Sequence, residues 1–198
     1  MEITRSEYNF FDDLANYLIM IVTISLTAEV YIAGKADKYK TNDSISLDGK
    51  QVGKRLSFYP SSLLEELYKL KWPDTFRFVE ETKDDIPPDA ILKLGPLEKP
   101  MQTIEKSMFI NYFERNRRHI ESKYGLDTNK WPDDWNFARV VRNAYIHDGS
   151  INFRNQNANP VNWLNLTYSP KDNGRQVQYN DLWPGDTIYL MIEMESHL

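Results

Sequence analysis

Apolar residues recur along much of this chain at spacings of three and four, the period of one helix face. From Phe10 to about Ala33 the stripe is Phe11, Leu14, Leu18, Ile21, Val22 and Leu26. Asp12 and Asp13 suit the positive end of that helix's dipole, and Gly34 suits its close. The apolar run Leu18–Leu26 is far shorter than the roughly 20 residues a membrane span needs, so it predicts a buried helix. Ser62-Leu-Leu-Glu65 matches a capping box and predicts a short helix to Leu70. A second long helix is predicted from Thr103 through Ile104, Met108, Tyr112 and Ile120 to Tyr124, with Gly125 as its stop. A third opens at Pro132-Asp133-Asp134, carries Trp135, Ala138, Val141, Tyr145 and Ile146 inward, and ends before Gly149.

Elsewhere the pattern changes. Residues 35–58 are polar and hold Asn-Asp and Asp-Gly turn signals, which predicts a loop, or a loop with a short hairpin around Asp48-Gly49. Residues 84–100 contain four prolines and one glycine and read as a connector. Val161–Tyr168 alternates as a strand does, and Arg175–Tyr179 is a partner for it across Lys171–Gly174. The last apolar run suits a strand or a helix; Asp186 as N-cap, with Ile188, Met191, Ile192 and Glu195 in series, favours the helix. The expected architecture is mainly α: a helical bundle over residues 1–198 as one domain, with a small β-hairpin insertion near the C-terminus, about 161–179.

Composition narrows the chemistry. With no cysteine, the 198 residues offer no disulfide, thiolate nucleophile or thiolate metal site. A formal charge of −5 argues against broad nonspecific nucleic-acid binding, though not against a local basic cleft. The amino terminus, MEITRSEYNFFDDL, lacks the charge pattern of a cleavable signal, so a cytoplasmic protein without membrane contact is expected. No Gly-rich phosphate loop, Gly-x-Ser-x-Gly elbow or His-Glu-x-x-His zinc motif occurs. Neither a cofactor nor a metal site is expected. The adjacent acids Asp84-Asp85 and Asp133-Asp134 read as loop and cap residues, and His197 as solvent-facing.

One of only three histidines closes the third long helix, in Arg142-Asn-Ala-Tyr-Ile-His147. Asn143 and Arg139 lie four and eight residues before His147, on the same stripe of a regular helix. Arg142 is five away, so it meets His147 only if the last turn loosens or two copies of the helix face each other. RNA carries its own nucleophile, the 2′-OH, beside each phosphate. Its cleavage needs a proton taken up, a proton delivered and charge stabilised. Histidine suits both proton roles and a guanidinium holds phosphoryl oxygens in a fork. A histidine in this place equally serves as a plain helix ending.

The six-residue segment resembles the Arg-x4–6-His motif of the HEPN superfamily, in which a polar residue often follows the arginine. The resemblance implies a helical bundle that dimerises through its motif helices and a metal-independent endoribonuclease with a composite dimer site. It makes Arg142 and His147 the catalytic pair and Asn143 the group that orients them. RNA is then the substrate, a homodimer the assembly, and an antitoxin or antiviral-defence protein the further partner class. The alternative is a non-catalytic helical module binding RNA, a nucleotide or a protein. A nucleotide sensor requires a deep pocket within one chain. Supporting RNA contacts are expected from Arg139 and from the basic cluster Arg115, Arg118 and His119, which also reads as a solvated helix face balanced by Glu114 and Glu121. Trp131, Trp135, Trp163 and Trp183 suit base stacking or, more readily, the core.

Overall fold

The structure, a computed structural model, describes residues 1–33, 44–83 and 85–198, with the side chains of 28–33 left aside. Its described elements are five α-helices and seven short strands. The expectation of a mainly helical bundle with one late hairpin is therefore corrected: the chain is mixed α/β, its strands forming three small antiparallel sheets. Strand β1 (Glu2–Thr4) pairs with β4 (Thr75–Arg77), tying the amino terminus to a segment more than 70 residues away. Strand β3 (Lys54–Phe58) lies between β2 (Ile45–Gly49) and β5 (Val79–Thr82). Strands β6 (Val161–Trp163) and β7 (Leu166–Tyr168) form the third pair.

The long helices follow the periodicity. Helix α1 runs Phe11–Ala33, α3 Glu98–Tyr124, α4 Asp133–Ile146 and α5 Pro184–Glu195. Gly125 ends α3 at φ 86°, a conformation that favours glycine. Helix α3 starts before Thr103, because Pro100 falls in its first turn, where no backbone N–H is needed. Helix α2 (Pro60–Tyr68) also begins early; Pro60 occupies its first position, and Ser62 Oγ donates to the Tyr59 carbonyl instead of forming a capping box. Of the two readings of 35–58, the one with a hairpin around Asp48-Gly49 matches the structure, the strands pairing from Ile45 to Phe58, while 35–43 lie outside the described residues. No helix among the described residues is long and apolar enough to cross a membrane.

The late hairpin also differs from expectation. Val161–Tyr168 folds back on itself through Leu164, which takes a left-handed φ of 48°. Arg175–Tyr179 instead lies against the segment after α4, through a Ser150–Gln176 bridge and an Ile151 N–H bond to the Arg175 carbonyl at 2.9 Å. Phe137 of α4 stacks on Tyr168 at 5.0 Å and meets Trp163 at 5.7 Å, so the hairpin closes over α4.

Helices α1, α3, α4 and α5 pack around one cluster of buried residues reaching from Ile3 to Met194. Trp131, Trp135, Trp163 and Trp183 are all buried in it or at its edge. Helix α5 meets the β2–β3 sheet at Gly185, where an added Cβ would lie 2.6 Å from the Gly49 nitrogen. The next residue locks the joint. Asp186 accepts backbone N–H bonds from Lys50, Gln51, Val52 and Trp183 at 2.8–3.0 Å. It thus sits at the third position of α5 and bonds back to the N–H of the N-cap residue Trp183 rather than being the N-cap itself, and burial pushes its carboxyl up to about 6 against the pull of those donors. Deeper still, Glu105 of α3 accepts from Thr187 Oγ1 at 2.7 Å and Gln178 Nε2 at 3.1 Å. His197 is not simply solvent-facing: its Nε2 lies 3.2 Å from Asp134 Oδ2, joining the chain's end to the start of α4.

Candidate functional site

Helix α4 turns Trp135, Phe137, Ala138, Val141 and Tyr145 into the core. Its other side is left half-buried, and there Arg139, Arg142 and Asn143 emerge beside α3. The helix ends at His147, whose N–H reaches both the Asn143 carbonyl at 3.1 Å and the Ala144 carbonyl at 3.0 Å. Asp148 and Gly149 then adopt left-handed φ values of 56° and 81°, turning the chain sharply away and leaving His147 exposed. The imidazole makes no hydrogen bond or ion pair among the described residues.

Arg139, Arg142, Asn143 and His147 line one cleft of about 560 Å³. That volume falls in the range of small-ligand sites. The opposite wall is the segment after the turn, Asn152 to Asn159, together with Thr128 and Asn129. The wall is tied down by Phe153, which is buried. Its N–H donates to Asn173 Oδ1 at 2.7 Å, and its carbonyl accepts from Asn173 Nδ2 at 3.1 Å. At the far end Asn159 Nδ2 donates to Asn129 Oδ1 at 3.2 Å.

The charge in the cleft is one-sided. Among the described residues, three guanidinium groups, Arg139, Arg142 and Arg154, and one imidazole line it, with six asparagines and no carboxylate. Arg142 is held by Glu114 of α3, an ion pair, and its Nη1 donates to Asn143 Oδ1 at 3.1 Å. Its Nε is buried without an acceptor among the described residues, a donor left open at a cost of about 1–3 kcal/mol. Arg139 finds only the neutral Asn136 Oδ1, at 2.9 and 3.1 Å. Burial and then the nearby Arg117 charge hold its guanidinium below the usual value, since both disfavour the cation. An anion entering the cleft would relieve that penalty.

The structure thus brings together four of the expected site residues. The other three lie outside the cleft. Arg115 is engaged in holding α3 to α1, through Asp13 Oδ2 at 2.6 Å and the Asn9 carbonyl at 2.7 Å. Arg118 and His119 are exposed further along α3. Arg154, Asn152 and the asparagines following Arg154 were missed, as was Glu114. Their signal was legible: Asn152-Phe-Arg-Asn-Gln-Asn-Ala-Asn159 is the densest asparagine run in the chain and begins five residues after His147. Among the described residues no group of three or more His, Cys, Asp or Glu could hold a metal ion.

No family model, curated protein or solved structure matches the chain.

Proposed function

We propose that the protein is an endoribonuclease that cuts RNA by attack of the 2′-OH on the adjacent phosphate, using the Arg142–His147 motif without a metal ion. The proposal takes up the chemistry implied by the HEPN resemblance and leaves aside that family's bundle architecture. The observation that carries it is the cleft itself, where a free imidazole and three guanidinium groups meet with no lining carboxylate among the described residues.

Arg142 and Arg139 would bind the non-bridging phosphoryl oxygens and offset the charge that builds on them. His147 would either take the proton from the 2′-OH or give one to the departing 5′ oxygen. Bond formation from O2′ to phosphorus and loss of the 5′ oxygen leave a 2′,3′-cyclic phosphate and a 5′-hydroxyl. One chain supplies one such histidine. In a homodimer whose α4 ends face each other, the partner copy would supply the second proton role, and the exposure of His147 leaves it open to such an arrangement.

The test incubates the protein with single-stranded RNA in EDTA and identifies the product ends. Wild type is expected to yield cyclic phosphate termini, with His147→Ala and Arg142→Ala each slower by about 100-fold or more. Equal rates in wild type and His147→Ala refute the reading. A second reading is a module that binds RNA or a nucleotide without cutting it. It is favoured by a nucleotide-sized cleft within one chain. Tight binding by both proteins with no cleavage by either would select it.

A further inference from the structure

Resting on the reading that the cleft takes RNA, we propose that the wall Asn152–Asn159 is a base-reading subsite, with Arg154 contacting the neighbouring phosphate. The cleft would therefore discriminate among bases.

Two routes exist for holding an unpaired base. Aromatic platforms stack on the ring face and accept every base, because every base has one. Amide side chains instead meet the edge, where donors and acceptors differ from base to base. Among the described residues the only aromatic one lining this cleft is Phe153, which is buried in the wall. Apart from Arg154, the polar side chains lining the cleft from this segment are amides. Asn152 and Asn157 are exposed, and their side-chain amides make no hydrogen bond among the described residues. Each offers a donor and an acceptor in one plane.

These amides stand on a backbone already ordered. Asn155 Oδ1 accepts the Asn157 N–H at 2.9 Å, and the Asn155 carbonyl accepts the Ala158 N–H at 3.1 Å, which closes a turn between them. The Phe153–Asn173 pair and the Asn159–Asn129 bond fix the two ends. A wall shaped in advance spends little ordering entropy on binding and keeps its amides at a set spacing. Arg154 projects from the same wall, exposed and without an acidic partner among the described residues, opposite Arg139 and Arg142 of α4. A strand lying between the walls would meet guanidinium on both sides, with most of the amides on the Asn152–Asn159 side.

The experiment measures fluorescence anisotropy of labelled rA8, rC8 and rU8 with the His147→Ala protein, which retains the wall and is expected to cut too slowly to consume the probe during the measurement. Affinities are expected to spread by about tenfold or more, the size of one good edge contact. Asn152→Ala with Asn157→Ala should shrink the spread to within about threefold at unchanged melting temperature. Arg154→Ala should weaken all three alike and reduce the salt dependence of binding. Equal affinities before substitution, or a spread that survives removal of both amides, overturn the proposal. Base-selective binding combined with no cleavage by wild type would sink the nuclease reading alone; failure to bind any of the three RNAs would sink both.

Discussion

Glu105 should make stability fall measurably as pH rises. Its side chain is 0% exposed, and no cation pairs with it among the described residues. Burial pushes its carboxyl up from 4.5 to about 7, against the hydrogen bonds from Thr187 and Gln178, with the Asp186 charge adding to the rise. The folded state thus holds a proton that the unfolded chain releases near 4.5. Stabilisation from this group is fully present below the unfolded value and is lost as pH rises through about 7. The gap of 4.5 to about 7 corresponds to about 3 kcal/mol lost by pH 8. Glu105→Gln keeps the shape and removes the ionisation. Chemical denaturation of both proteins at pH 5 and pH 8 isolates the effect, because all other titrating groups are shared. The variant should match wild type within about 1 kcal/mol at pH 5 and exceed it by about 3 kcal/mol at pH 8, or about 6–12 °C in melting temperature. Parallel pH profiles for the two proteins would refute the argument and mean that Glu105 is solvated or paired in the folded state.

Three other outcomes are expected. Gly185→Ala places a Cβ 2.6 Å from the Asp48–Gly49 backbone, so it should destabilise the fold by about 3 kcal/mol or more in denaturant titration, and a neutral change would deny the close contact between α5 and the hairpin. Glu114→Gln frees Arg142 from its half-exposed ion pair; RNA cleavage should fall by about tenfold through kcat while stability moves by less than about 1 kcal/mol, and an unchanged rate would mean that Glu114 does not position the guanidinium. Arg139→Ala removes a cation balanced only by Asn136, which should weaken RNA binding and lower its salt slope by about one without loss of stability.

The sequence alone determined what local physics can specify. The apolar stripes of α1, α3 and α4 are long enough for their period to be plain, whereas the α5 run suits strand and helix alike and only Asp186 and the Ile188–Glu195 series favour the helix; Gly125 marks a helix end through a conformation that favours glycine. The Arg142–His147 spacing was equally plain, because both residues belong to one helix. The tertiary structure alone decided the class of fold. Strands β1, β4 and β5 are three or four residues long, too short for alternation to register, and β1 exists only because a segment more than 70 residues away supplies its hydrogen-bond partners. Asp186 reads locally as a helix cap, yet three of its four donors come from a hairpin over 130 residues earlier in the chain. The site divides along the same line: spacing along α4 placed Arg139, Asn143 and His147 on one stripe, whereas the pairing of Arg142 with Glu114 depends on how α3 packs. The asparagine wall faces that stripe because the Asp148–Gly149 turn reverses the chain and Asn173 holds Phe153 in place. Periodicity records which face of an element is buried; it carries no information about which distant segment will cover it.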